Sequence, residues 1–446
     1  MIDTFILIRN VFIAWVTIGW LLLTLTSASF LKPRTQSTRA RLAHSLSSPR
    51  SKIKIFIFVH LTIHHIIILP LAAYLWMIDE ILFGTLYRKT KIEKPLIIMS
   101  VPRAGTTSFH LSLALDENLI SLRTCDTVLP FLCVTIPLEY LNKKFPHVLK
   151  RIESLLKRIS GITKEVEQRH PVSFFSVEAD DVLLGEWSWA GIGSVRSFPV
   201  LKYWWEDYNY AVQKVSEKDR IMKFHQLVCQ KRLFSVARDN VKCKQKRLLL
   251  RSHLSSDGIH DLYQDAIFIG IVRNPETVLQ SFAGLTDCVV YNSTGLRLLT
   301  KDTNNANTLQ QYSPSNIQSW GDAMQIIVAD MMEKQAKIHT SNTIITFDEF
   351  KNDPIAAISG LYERVGLEMT DKFVSNIASQ LNTHWAYKKS RPYKNPTFEI
   401  IGVQKEAFMS LNGVQEYQAL LQSRSNNVNK IVPPVSKNLS TKYKSL

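Results

Sequence analysis

The chain lacks the features that would point it toward metal or redox chemistry. Its five cysteines (Cys125, Cys133, Cys229, Cys243 and Cys288) contain no Cys-x-x-Cys pair, so neither a zinc knuckle nor a thioredoxin-like site is signalled. The odd count leaves the redox compartment open. There is no zinc finger, RNA-binding aromatic signature or basic heptad array, which sets nucleic acid aside as a partner, and no internal repeat. Acidic residues are scarce: 38 Asp and Glu stand against 54 Lys and Arg, a formal charge of +16. That surplus suits anionic partners, whether a charged substrate or lipid headgroups. A hydrophobic content of 46% with 21% charged residues over 446 positions excludes a disordered chain and is enough for one large core or two smaller ones.

Two apolar runs lie near the start, Phe5 to Leu25 and Ile53 to Ile78, both long enough to cross a bilayer. They are expected as transmembrane helices within residues 1–30 and 53–86. A cleaved signal peptide is the alternative for the first, because "TSASF" offers small residues. The segment between them, residues 31–52 and the start of the second run, carries Lys32, Arg34, Arg39, Arg41, Arg50, Lys52 and Lys54 and no acidic residue. The positive-inside rule holds such a loop in the cytosol, which places the large C-terminal part on the opposite face, in a Golgi-like lumen or periplasm. Sequons at Asn292 and Asn438 are compatible with that placement. His60 and His64 share a helical face and His65 adjoins them; a metal pair and simple packing against other helices are the two readings.

After Ile78 a short charged connector, "DEILFGTLYRKTKIEKP", is expected to lead into a domain over residues 92–413. Apolar runs at 95–99, 247–250, 266–272 and 342–347 alternate with helical stretches, the pattern of an α/β fold with a mainly parallel sheet. "DPIAAISGLYERVGL" reads as a helix capped by Asp353, with Pro354 in its first turn and Gly366 at its end. Residues 414–446 end in a polar, proline-containing stretch and are expected as a flexible tail.

The stretch "SVPRAGTTSF" follows the first of those strands and opens a helix. Such a turn directs backbone N–H groups and the positive end of a helix dipole at one point, where phosphate or sulfate binds well. Gly105 permits close backbone approach, Thr106 and Thr107 add hydroxyls, and Arg103 adds a planar cation. The nucleoside triphosphatase loop is a poor fit, since Ser100 stands where its first glycine should be and no lysine follows Gly105.

"PLIIMSVPRAGTTSFHLSLAL" resembles the 5′-phosphosulfate loop of the sulfotransferase family, with two departures: Ser100 replaces a glycine and Ala104 a serine. "DAIFIGIVRNPETVLQSFAGL" resembles the family's 3′-phosphate element, with Arg273 at the strand end, Asn274 as helix cap, Pro275 at the first helical position and Ser281 two turns on. In "KRLLLRSHLSSDGIH", His253 matches the catalytic base of the family, with His260 as the fallback. The acidic group Glu178, Asp180 and Asp181 is similar to a carboxylate cluster of the bacterial-type, carbohydrate-like branch, where it would orient the histidine, act as base or serve the acceptor. Trp187, Trp189, Trp204 and Trp205 are read either as acceptor-pocket walls or as core. Lys388, Lys389 and Arg391 are further candidates for the 3′-phosphate.

The resemblance implies a P-loop-like three-layer fold and a membrane-anchored enzyme. Such an enzyme uses 3′-phosphoadenosine 5′-phosphosulfate as co-substrate, needs no metal, and sulfates a hydroxyl or amine of a glycan, glycolipid or lipid. Arg103, Ala104, Gly105, Thr106, Thr107, Arg273 and Ser281 would hold the nucleotide, and His253 with Arg103 would serve the chemistry. Two other classes stay open: a non-catalytic membrane scaffold that keeps the fold, and a P-loop nucleotide kinase.

Overall fold

The computed structural model describes residues 2–26, 35–46, 52–159, 164–169, 173–187, 204–206, 215–239, 246–253, 256–294, 297–299, 319–389 and 394–431. The first apolar run is helix α1 (Ile2–Leu25). The second is a single rod made of α2 (Lys52–Ile63), a π-helical turn (His64–Ile68) and α3 (Leu69–Tyr87). Pro70 accounts for the turn. In the π register the Leu69 N–H bonds the carbonyl of His64, and the next donor in that register is Pro70, which has no N–H. The carbonyl of His65 accepts instead from the indole Nε1 of Trp20, at 3.1 Å. α1 runs beside the rod in the opposite sense: the Tyr74 hydroxyl donates to the carbonyl of Trp15, and Gly19 lies on Pro70 so closely that a Cβ there would stand 2.5 Å from the proline ring. The rings of His60 and His64 stack at 6.0 Å.

The remainder of the described chain is built on five strands, β1 (Leu96–Met99), β2 (Leu119–Ser121), β3 (Arg247–Ser252), β4 (Ile267–Val272) and β5 (Ile344–Thr346). Its principal helices are α4 (Thr106–Leu113), α5 (Leu132–Lys144), α6 (Asp180–Trp187), α7 (Val215–Asp239), α8 (Pro275–Thr294), α9 (Trp320–Ile338) and α10 (Asn412–Ile431). All pairings are parallel, in the order β2-β3-β1-β4-β5, with Ile98 beside Arg251 on one side and Ile269 on the other. β1 is buried along its whole length and its side chains alternate between two cores. Leu96 and Ile98 pack with Phe282 of α8 and Met324 and Ile327 of α9. Ile97 and Met99 pack with Phe224 and Leu227 of α7 and Trp76 of α3. The sheet therefore has a helical layer on each face, as expected for a three-layer fold.

The expected connector after Ile78 is not a connector. Residues from Asp79 to Tyr87 continue α3, and one side of that helix is a wall of the second core. The Asp79 carboxylate is fully buried; it accepts from the first backbone N–H groups of α5, at Leu132 (2.6 Å) and Cys133 (2.8 Å), and pairs with Nζ of Lys231 at 2.8 Å. Lys231, buried on α7, also lies 3.5 Å from the centre of the Trp76 ring. One carboxylate thus neutralises a buried ammonium and caps a helix start. The expected tail begins too early as well: residues 412–431 form α10, which buries Val414 and Tyr417 and sets Arg424 2.6 Å from Glu349. Residues 432–446, with Asn438, lie outside the described residues. The short strand β2 is an addition to the expected set, whereas the Asp353 cap and Pro354 start stand as anticipated, with the Ala356 N–H donating to Asp353 Oδ1 at 3.0 Å. Trp187 and Trp204 are core residues: the Trp187 indole donates to the carbonyl of Thr127 and Trp204 packs on Trp320 and Phe282. Trp205 packs partly buried against the same core, and Trp189 lies outside the described residues.

Replacing Asp79 by alanine strands a buried ammonium and uncaps α5, an expected loss of about 3–5 kcal/mol. Thermal unfolding in detergent should show that loss, and Asp79→Ala combined with Lys231→Met should recover much of it.

Candidate functional site

β1 ends at Met99, where the chain leaves the sheet while still buried, so its peptide groups need side-chain partners. Each is supplied. The Met99 carbonyl accepts from Nε2 of His339 at 2.7 Å, and the Val101 N–H donates to Oε1 of Gln335 at 3.0 Å. Gln335 in turn donates through Nε2 to the carbonyl of Ile271 at 3.3 Å, tying β1 to the end of β4. Ser100 adds a second tie: its Oγ accepts from the Ile271 N–H at 2.8 Å, and its carbonyl accepts from Nδ1 of His253 at 2.6 Å. The serine that departs from the family's glycine therefore has a structural task.

The loop that follows is held in left-handed backbone at Arg103 (φ 73°) and Gly105 (φ 106°). A Cβ at Gly105 would also fall 2.6 Å from the Phe347 ring, so both backbone and space demand glycine there. Arg103 has no such licence and carries a cost of order 1 kcal/mol. It is held from both ends: its Nε donates to Oγ of Ser281 at 3.0 Å, and its carbonyl accepts from Nη1 of Arg273 at 3.2 Å. Arg273 lies with its guanidinium 4.3 Å from the Phe347 ring centre, and its own N–H donates to the Tyr417 hydroxyl. Asn274 caps α8 as expected, accepting from the Thr277 N–H at 3.2 Å. α4 starts at Thr106 with no side-chain cap, so its first-turn N–H groups face the loop. The structure thus brings Arg103, Gly105, Thr106, Thr107, Arg273 and Ser281 into one constellation. Ala104 contributes its backbone only, because its methyl group belongs to the core.

His253 follows β3 directly. A carbonyl can only accept, so the bond to Ser100 fixes the proton on Nδ1 and leaves Nε2 as the acceptor nitrogen. Burial, together with the nearby Arg251 guanidinium, pushes its pKa down to about 4, against the opposing pull of the Ser100 bond and of Asp180 and Glu178. Its orienting partner is therefore a backbone carbonyl, and the carboxylates are engaged elsewhere. Glu178 accepts from Nη2 of Arg251 at 2.7 Å, and Asp180, at the start of α6, pairs with Nε2 of His225 at 3.1 Å. Burial opposes charge on His225, yet Cys229 and Asp180 beside it raise its pKa to about 10. Nothing is described of the Asp181 side chain.

Arg251 is the site residue that the sequence reading missed. It sits on β3, almost fully buried, and donates through Nη1 to Oγ1 of Thr107 (2.8 Å) as well as to Glu178, with its Nε unbonded. The available signal was a charge directly after the apolar run Leu248–Leu250 of a buried strand. Gln335 and His339 were likewise unmarked, since each acts on a peptide group far away in the chain. His260 is exposed and stacks on Phe268, outside this cluster. Lys388 and Lys389 end a helix (Asp371–Lys389) without described side chains, and Arg391 lies outside the described residues.

Ser100→Ala removes one hydroxyl and leaves the buried Ile271 N–H unpaired, at an expected cost of about 1–3 kcal/mol in a denaturant melt. If Ser100 were only a tolerated substitute for glycine, the melt would not move.

The fold and this constellation can be set beside known proteins. No curated protein matches the chain. Among solved structures, sulfotransferase STF9 from Mycobacterium avium is similar at 16% identity with a TM-score of 0.51, covering 87% of this chain and 93% of that one. Sulfotransferase STF1 from Mycobacterium tuberculosis H37Rv is similar at 13% identity with a TM-score of 0.45, covering 91% and 98%. The model of one family, described as the sulfotransferase family, matches residues 95–371, from the start of β1 to past β5. With more than half of its length so matched, the chain belongs to the sulfotransferase family.

Proposed function

We propose that this chain moves a sulfuryl group from 3′-phosphoadenosine 5′-phosphosulfate to a hydroxyl or amine of a glycan, glycolipid or lipid. The observation that carries the reading is the contact between Arg103 and Ser281, 178 residues apart in sequence, which joins the two phosphate elements. The residues present fit a nucleotide bearing phosphates at both ends. The left-handed loop and the first turn of α4 present N–H groups, and Arg103 and Arg273 present guanidinium groups beside the Ser281 hydroxyl. When bound, the nucleotide supplies an activated sulfuryl group on a phosphate leaving group. The protein's part is to hold that phosphate, neutralise the charge that develops on it, and take the acceptor's proton at Nε2 of His253.

Ser100 and Ala104, the departures that favour a non-catalytic scaffold, have structural roles in the ladder and the core. The apolar helices support membrane association. A lumenal position for the domain depends on the long helical rod crossing the bilayer.

Arg103→Ala and Arg273→Ala, made singly, should each weaken retention on immobilised adenosine 3′,5′-bisphosphate by roughly 10- to 100-fold, as expected for loss of a half-buried charge-assisted contact. Unchanged retention in both variants would sink the proposal. His253→Ala should still be retained while transfer of radiolabelled sulfate to extracted lipids and glycans falls by about 100- to 10,000-fold.

The pH profile is a second check. The folded pKa of His253 lies below its ordinary value of 6.5, so the imidazole is already neutral at pH 6.5 and the base is lost only as pH falls through about 4. Initial rates should therefore hold between pH 8 and 6 and decline toward pH 4. An acid limb centred at pH 6.5 would contradict the assignment.

A further inference from the structure

The rod from α2 to α3 is too long for the bilayer it would cross. Its apolar stretch, Lys54 to Tyr87, is 34 residues, about 51 Å of helix at 1.5 Å per residue. The hydrocarbon core is about 30 Å thick. Large apolar side chains stand exposed at both ends, with Ile55 and Phe58 on α2 and Ile81 (77% exposed) and Leu86 at the far end of α3. Burying that whole stripe, about 46 Å from Ile55 to Leu86, across the membrane needs a tilt of about 50°, beyond the 0–40° that spanning helices show. A steeper crossing leaves one end's apolar side chains in water.

The domain also touches both ends of the rod. α3 is fixed to it through Trp76 and the Asp79–Lys231 pair, while α2 lies against α8, the helix that carries Ser281. A rod that pierced the bilayer could offer the domain only the end on the domain's own side.

We propose that the rod lies in the membrane surface as a monotopic anchor, its exposed apolar side sunk into one leaflet and its other sides on α1, the helix Thr35–Leu46 and the domain. The proposal rests on the membrane-anchored reading and replaces its crossing geometry. The occupant of the apolar face is lipid, and the charge beside it agrees. Residues 32–54 carry seven Lys and Arg with no Asp or Glu ahead of and into the start of α2; Arg41 is buried, whereas Arg39 is exposed on the helix Thr35–Leu46 and is complementary to anionic headgroups at the same surface. The basic segment and the catalytic domain then share one face of the membrane. Acceptors would be met at that surface, without passage of the domain across it.

The test uses the full-length chain in sealed microsomes, with one epitope inserted after Ser47 and another at the C-terminus. The expected result is that the chain stays with carbonate-washed membranes and that added protease removes both epitopes or neither. Opposite fates for the two epitopes overturn the in-plane anchor and leave membrane anchoring intact. Release of the chain by carbonate overturns both. Ser48→Cys labelled with a membrane-impermeant maleimide repeats the loop measurement without an insertion: a loop reactive only from the face opposite the domain is again a crossing.

Discussion

The site depends on how β1 ends. A central parallel strand has neighbours on both sides, and when it stops, its next peptide groups are buried without a ladder to receive them. Here side chains from the residue after β3, from α9 and from the residue after α9 take over: His253, Gln335 and His339, with Ser100 reaching across to β4. Every one of these bonds also fixes the start of the loop that carries Arg103 and Gly105. The loop is consequently aimed by the sheet itself rather than by contacts within the loop.

That arrangement explains why a strained residue can sit at the centre of the site. Arg103 in left-handed backbone would relax if left alone. Ser281 holds its side chain and Arg273 its carbonyl, so the strain is maintained by the end of β4 and by α8. The loop and the segment from Arg273 to Ser281 therefore hold each other in place. Under the proposed function, an incoming 3′-phosphate would exchange a hydroxyl contact for a charge-assisted one, which a nucleotide without that phosphate could not do. Arg251, partnered by Glu178, adds positive potential beside His253, which helps keep the imidazole neutral and able to accept a proton.

The parts of this structure that could be read in the sequence are those encoded locally. Four strands, the caps at Asn274 and Asp353, and the strand-loop-helix carrying Arg103 and Thr106 each occupy one continuous stretch with its own pattern. The two phosphate elements could be paired because each follows a strand, and parallel strands bring such ends together. What escaped was non-local or amphipathic. β2 is three residues long, below the reach of any periodicity. α10 looked like a tail because its polar residues outnumber Val414, Tyr417 and Leu420, the few that hold it to the core. Arg251 and Gln335 bond to residues more than 140 positions away. The partner of His253 is a carbonyl, which no sequence pattern can announce.

α3 belongs to two structures at once. Its length and apolar composition are those of a candidate membrane span, yet Trp76, Asp79 and Tyr87 are bricks of the sheet-bearing domain. A soluble fragment cut at Lys94, where the family resemblance begins, would remove a wall rather than a tether. Lys231 would be left charged in an apolar cleft and the first turn of α5 uncapped. The apolar rod and the fold of the domain are therefore inherited as one unit, and neither can be exchanged without rebuilding the other.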